Sequence, residues 1–286
     1  MVGLMVLAVY VAIGVVLYLI QDRLVYPAPG GIGRSSLDQA ASELGAAPLD
    51  LMASDGTRLY GWHLRSTGSR LVLYLHGNGE AVTDYVPLYR ILLHDGWDVL
   101  AVAYRGYPGS EGAPTEAGLA LDAEAAWAWA TGPGGYPPDR VVVHGRSLGG
   151  GVAATLVDGP ANPAGMVLES TFADLREVAR RAVPMYPVGL LLRARFDTRS
   201  RAPRLGVPVL LMHSTDDQVI PIDLGGRALR GVIAEVEYEE TSGLSHQQCL
   251  PVSDARLRRV YLSFLDRVVP RAPSGDRAPM PGEPGL

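Results

Sequence analysis

Lysine is absent from the 286-residue chain, and all 25 basic residues are arginine. No glycine-rich turn can therefore supply the lysine that a Walker phosphate loop needs. The arginine-only set, beside 34 glycines and 22 prolines, is a compositional bias without functional content. A single cysteine, Cys249, excludes an internal disulfide and leaves the redox compartment open. A formal net charge of −5 excludes a global basic footprint for nucleic acid. No group of His, Cys, Asp or Glu has metal-site spacing, so neither metal nor cofactor is expected. What is present, 48% hydrophobic residues with ordinary charge, suffices for one large α/β domain.

Val2 to Ile20 is a run of 19 residues without a charge. As a helix it covers about 28 Å, close to the ~30 Å hydrocarbon core of a bilayer. It lacks the basic start and the Ala-x-Ala site of a cleaved signal peptide. The expectation is an uncleaved single-pass anchor over 1–21, with a cleaved signal or a buried helix of the domain as the other readings. One Asp and one Arg in the flank leave the side of the membrane undecided. Residues 22–47, with Pro27, Pro29, Gly30, Gly31 and Gly33, are read as an irregular connector.

Two strand-like runs, 49–53 and 58–65, are joined by Ser54-Asp55-Gly56-Thr57, a hairpin signal. Short apolar strands then alternate with amphipathic helices. Strands are expected at 71–75, 98–104, 140–144, 165–168, 207–212 and 233–238, and helices at 81–94, 115–130, 148–157, 172–183, 223–230 and 252–269. The fold class is α/β, with a mostly parallel sheet flanked by helices after an antiparallel N-terminal hairpin, over 48–269. Between Thr171 and Gly206 there is room for one or two helices and no large lid domain. The Pro/Gly-rich tail 270–286 is expected to be disordered.

The informative stretch is Val141-Val142-Val143-His144-Gly145-Arg146-Ser147-Leu148-Gly149-Gly150-Gly151. It reads as strand, Gly-x-Ser-x-Gly turn, then helix, the context in which that pattern marks a nucleophilic serine. Gly145 and Gly149 have no Cβ to obstruct the sharp turn that exposes Ser147. A serine nucleophile needs a histidine base, and the base needs a carboxylate; in this topology they follow in the order Ser, acid, His. Four of the six histidines precede Ser147, and His213 stands ahead of the adjacent acids. His246, in the loop after the last strand, remains as the base. Asp216, Asp217 and Glu169 lie at strand ends and are the acid candidates. The oxyanion needs two backbone N–H donors, assigned to Leu148, just after the serine, and Asn78, in His76-Gly77-Asn78-Gly79 after the first central strand.

Together these features resemble the α/β-hydrolases, and more narrowly the membrane-anchored serine hydrolases of the Bem46-like and ABHD-type group. The resemblance rests on the apolar N-terminus followed by Gln21-Asp22-Arg23-Leu24-Val25-Tyr26-Pro27; on His76-Gly77-Asn78-Gly79 and Tyr104-Arg105-Gly106-Tyr107-Pro108-Gly109-Ser110-Glu111-Gly112; on the Ser147 turn and Leu168-Glu169-Ser170-Thr171-Phe172; and on His213-Ser214-Thr215-Asp216-Asp217-Gln218-Val219-Ile220-Pro221 and Gly243-Leu244-Ser245-His246. The acid of that group stands two residues before a Val, which implies Asp217 here. The resemblance implies an esterase, thioesterase or lipid-directed hydrolase acting on a small-molecule or lipid acyl substrate. A peptidase or transacylase with the same residues, or a non-catalytic anchored scaffold, are the alternatives. Ser214 stands where relatives usually have Gly, and Leu244 and Ser245 where small residues are common.

Residues 176–204 hold eight arginines against Glu177 and Asp197, a local balance of +6. The segment is read either as a solvated helix-loop stretch or as a surface lying against anionic headgroups.

Overall fold

The computed structural model describes residues 1–271. The disorder expected for 270–286 thus falls, from 272 onward, outside the described residues. Eight strands form one sheet: β1 (Ala47–Met52), β2 (Arg58–Leu64), β3 (Leu71–Leu75), β4 (Asp98–Val102), β5 (Val141–Arg146), β6 (Gly165–Glu169), β7 (Val209–Ser214) and β8 (Val236–Thr241). The helices are α1 (Val2–Val25), α2 (Arg34–Leu44), α3 (Val86–His94), α4 (Glu116–Thr131), α5 (Leu148–Val157), α6 (Leu175–Ala182), α7 (Val188–Leu191), α8 (Thr198–Arg201), α9 (Gly226–Arg230), α10 (Leu250–Ser253) and α11 (Ala255–Val268).

The sheet order is β1-β2-β4-β3-β5-β6-β7-β8. β1/β2 and β2/β4 are antiparallel, and every later pair is parallel. Strands β3 to β7 are buried at each residue, which is why they read as mostly apolar runs with polar residues toward their ends: a parallel sheet is covered on both faces. β8 closes the edge half-buried, with Glu237, Glu239 and Glu240 in its sequence. The β1/β2 turn places Gly56 at φ 85°, and the Asp55 carboxylate accepts the Thr57 N–H at 3.1 Å.

The structure departs from the sequence reading in several places. α1 continues to Val25, past the expected end at 21. The connector 22–47 contains α2, because its Pro/Gly cluster stops at Gly33, the extended residue before the helix. Leu37 and Ala41, four apart, are the buried stripe of α2. The helix expected at 172–183 starts only at Leu175, where the Asp174 side chain accepts the Arg176 N–H. Residues 222–230 form a 3-10 turn, Ile222–Leu224, and the short α9. The final helix is broken at Asp254, whose extended backbone ends α10 while its carboxylate caps α11 through Arg256 and Leu257. β8 starts at Val236, since Ile233 is buried in the turn that closes α9. Three short helices, α6 to α8, occupy the segment between Thr171 and Gly206.

Candidate active site

The turn at Ser147 joins the central strand β5 to α5. Ser147 has φ 52° and ψ −118°, a conformation that costs of order 1–3 kcal/mol and persists only where the surroundings enforce it. They do so on both sides. The Ser147 N–H donates to the Glu169 carbonyl at 2.9 Å, and the Thr171 hydroxyl donates to the Ser147 carbonyl at 2.7 Å. The glycines permit close approach: a Cβ on Gly149 would stand 2.0 Å from the Leu75 carbonyl oxygen, and one on Gly145 would stand 2.3 Å from that of Gly149. Helix α5 therefore packs directly against the ends of β3 and β5.

Three side chains from three loops meet there. Ser147 Oγ is 2.9 Å from His246 Nε2, and His246 Nδ1 is 2.7 Å from Asp217 Oδ2. All three residues are buried. Asp217 lies just beyond β7, and the N–H groups of Val219 and Ile220 donate to its Oδ1 at 2.9 and 2.8 Å. Burial pushes the Asp217 carboxyl up, but hydrogen bonds with His213 and His246 and the backbone N–H of Ile220 more than offset it. The group is held well below its ordinary value of 3.8. An ionised Asp217 only accepts, so the proton of His246 sits on Nδ1 and the Nε2 lone pair faces the serine hydroxyl.

His213, set aside as a base, has its own place. The Gly226 N–H donates to its Nδ1 at 3.2 Å, which leaves the proton on Nε2. Nε2 donates to the Ile220 carbonyl at 2.9 Å and lies 3.4 Å from Asp217 Oδ2. Asp216 and Glu169, the other acid candidates, are not brought to His246. Asp216 is exposed and accepts the Gly243 N–H at 2.7 Å. Glu169 is fully buried, with Oε2 3.1 Å from His144 Nε2 and Oε1 accepting the Leu250 N–H at 2.6 Å. Ser214, in the glycine position of the resemblance, donates to the Leu244 carbonyl at 2.6 Å and so ties the Asp217 loop to the His246 loop.

Arg146 is the residue the sequence left without a task. It is completely buried, donates to the Glu80 carboxylate and the His246 carbonyl, and lies 5.4 Å over the Tyr85 ring. Burial lowers the guanidinium's affinity for its proton, but Glu80, Tyr85 and Glu169 outweigh that and keep it charged. Glu80 in turn accepts the Gly77 N–H at 2.5 Å. One side chain thereby couples the loop bearing Asn78, the turn bearing Ser147 and the loop bearing His246. Arg146 pairs in register with Glu169, each at the carboxyl end of its strand, a pairing visible only once the strands are aligned.

A cavity of about 460 Å³ opens at Ser147 and His246, bordered by Asn78 and Leu148 and walled mainly by apolar side chains. Leu148 is the first residue of α5, so its N–H is not consumed by the helix. Among the described residues that line the cavity there is no Asp or Glu.

A parallel sheet that presents a strained serine on a strand-turn-helix elbow is the architecture of α/β-hydrolases. A family model described as serine aminopeptidase, S33, matches residues 67–196. An uncharacterized protein of Mycobacterium tuberculosis is 34% identical over 245 residues, 82% of this chain and 84% of that one. A lysophosphatidylserine lipase, ABHD12 of Xenopus tropicalis, is 33% identical over 233 residues, 70% of this chain and 58% of that one. Among solved structures, an α/β hydrolase from Vibrio vulnificus superposes with a TM-score of 0.70 at 22% identity, covering 87% of this chain and 92% of that one. An esterase of Pyrococcus furiosus does so with a TM-score of 0.67 at 20% identity, covering 84% and 98%. The chain belongs to the α/β-hydrolase family.

Proposed function

We propose that the chain is a membrane-anchored serine hydrolase that cleaves esters or thioesters carrying an apolar acyl group. The observation that carries this reading is the file Ser147 Oγ, His246 Nε2 and Nδ1, Asp217 Oδ2, opening onto an apolar cavity. Ser147 Oγ attacks the acyl carbon as His246 Nε2 takes the hydroxyl proton. Asp217 fixes the imidazole's orientation and stabilises the cation that forms. The N–H groups of Leu148 and Asn78 receive the oxyanion, each donor contributing about 3 kcal/mol to transition-state stabilisation. His246 then protonates the departing alkoxide or thiolate, leaving an acyl-serine. Water attacks that intermediate with His246 again as base, releasing the carboxylic acid and regenerating Ser147.

α1, one helix long and apolar enough to cross a membrane, is the anchor in this reading. The relative named as a lysophosphatidylserine lipase supports a lipid acyl substrate. A second reading, cleavage of a peptide N-terminus, has the family model's description in its favour. An aminopeptidase must hold the substrate ammonium, and among the described residues no carboxylate borders the cavity. A panel of p-nitrophenyl esters, acyl thioesters and aminoacyl anilides separates the two. Turnover of esters or thioesters, lost in Ser147→Ala, is expected; turnover of the anilides alone would select the peptidase.

A further inference from the structure

α1 carries more than an anchor requires. Tyr10, Gly14, Leu17, Gln21 and Val25, spaced four, three, four and four residues apart, are its buried and half-buried stripe. The Tyr10 ring stacks on Tyr186 at 4.7 Å, and its hydroxyl donates to the Met185 carbonyl at 2.6 Å. A Cβ on Gly14 would lie 3.2 Å from the Tyr186 ring, so glycine lets that ring approach. Gln21, 6% exposed, donates to the Leu191 carbonyl at 3.1 Å and accepts the Arg193 N–H at 2.7 Å. Asp22 pairs with Arg193 at 2.7 Å. A helix that only held the protein to a bilayer would need none of these contacts.

The docking places α1 against the cavity. Leu17 and Leu24 line it together with Val178 and Val183 of the α6 region, and Ser147 and His246 line it as well. A span of about 20 residues crosses the hydrocarbon core. The uncharged run of α1 ends at Gln21, before Asp22 and Arg23, so the α1 wall of the cavity lies where acyl chains meet headgroups. Near it Met185 and Leu190 are 75% and 87% exposed apolar side chains. Arg180 and Arg181 of α6 are exposed and carry no ion pair among the described residues, as suits a surface facing lipid phosphates.

Resting on the hydrolase reading above, we infer that α1 is one wall of the acyl-chain site, and that the substrate is a membrane-resident ester whose chain passes sideways from the bilayer along Leu17 and Leu24 to Ser147. The chain exchanges one apolar environment for another and does not cross water. α1 then sets chain-length preference, and it belongs to the working enzyme as a part of its binding site.

Two measurements on the full-length protein in phosphatidylcholine vesicles test this. The first needs no turnover: palmitic acid bearing a diazirine near its methyl end is photolysed with wild type and with Ser147→Ala. Crosslinks within 17–25 are expected in both; crosslinks confined to other segments overturn the wall. The second compares kcat/KM for p-nitrophenyl palmitate and p-nitrophenyl butyrate. Leu17→Trp is expected to lower the long-to-short ratio by about tenfold or more by filling the cavity, a size typical of pocket-shape discrimination. Val9→Trp, on the exposed side of α1, is expected to leave the ratio at the wild-type value. Equal ratios in Leu17→Trp and wild type, or an equal fall in Val9→Trp, overturn the proposal. Crosslinks at 17–25 in a protein that hydrolyses neither these esters nor acyl thioesters would sink the hydrolase reading and leave the wall standing.

Discussion

Among the described residues two carboxylates are buried against imidazoles at the carboxyl edge of the sheet: Asp217 against His246 at 2.7 Å, with His213 at 3.4 Å as well, and Glu169 against His144 at 3.1 Å. Both acids were candidates for the same task, and both are held below their ordinary range against the upward pull of burial. They differ in what the second ring nitrogen meets. His246 Nε2 faces Ser147 Oγ and the cavity. His144 Nδ1 meets the Tyr261 hydroxyl at 3.1 Å in a place without solvent. A carboxylate can orient an imidazole in either setting; in the proposed function only the pair whose imidazole reaches Ser147 passes a proton to substrate.

Isosteric amides break the comparison most sharply. Asp217→Asn keeps the shape and a carbonyl oxygen for Val219 and Ile220 but favours the wrong histidine tautomer, and kcat is expected to fall by about 10⁴. Glu169→Gln is expected to lower kcat by less than about tenfold and to cost about 2–4 kcal/mol of stability, because buried Arg146 and His144 lose a charged partner. Steady-state kinetics and denaturant unfolding on both variants check this, and equal losses of kcat would remove the distinction.

Arg146 stands between the pairs, 3.7 Å from Glu169 Oε1 and bonded to the carbonyl of His246. Arg146→Met keeps the bulk and releases the loops, and kcat is expected to drop by about 10²-fold with KM little changed, as misplacement of reacting groups does. A rise in KM at constant kcat would assign Arg146 to substrate binding.

Acid melts see both pairs where kinetics sees one. The folded values of Asp217 and Glu169 are depressed from 3.8 and 4.5, so each contributes stability that is present above those values and lost as pH falls toward the folded ones. The Tm of the wild type is expected to fall steeply below about pH 4.5, and either amide variant to flatten the decline. The smallest effect is expected from Ser214→Gly, which removes one hydroxyl bond between the Asp217 and His246 loops and costs about 1 kcal/mol in unfolding experiments.

Much of this site was legible because chain order is a strong filter. Five of six histidines fall out by position relative to Ser147 and the acids, and the short, mostly apolar strands give the sheet its parallel centre. Choosing Asp217 over its neighbour needed the resemblance, since adjacent residues at a strand end differ only in which way the loop turns. Arg146 was hidden by its place as the variable residue of the Gly-x-Ser-x-Gly turn, and its partner Glu80 lies 66 residues away. α2 was missed because prolines and glycines before a helix look like those of a loop. The +6 balance of 176–204 is offset from outside the segment: Arg193 pairs with Asp22, Arg195 with Asp174, and Arg201 and Arg204 with Asp158. Net charge along a sequence does not report such partners.

The most direct measurement is labelling by a fluorophosphonate, followed by mass spectrometry of the modified peptide. Phosphonylation on Ser147 is expected, absent in Ser147→Ala and in His246→Ala and strongly slowed in Asp217→Asn. Labelling that persists in Ser147→Ala, or a wild type that does not react, would contradict the assignment of Ser147, His246 and Asp217.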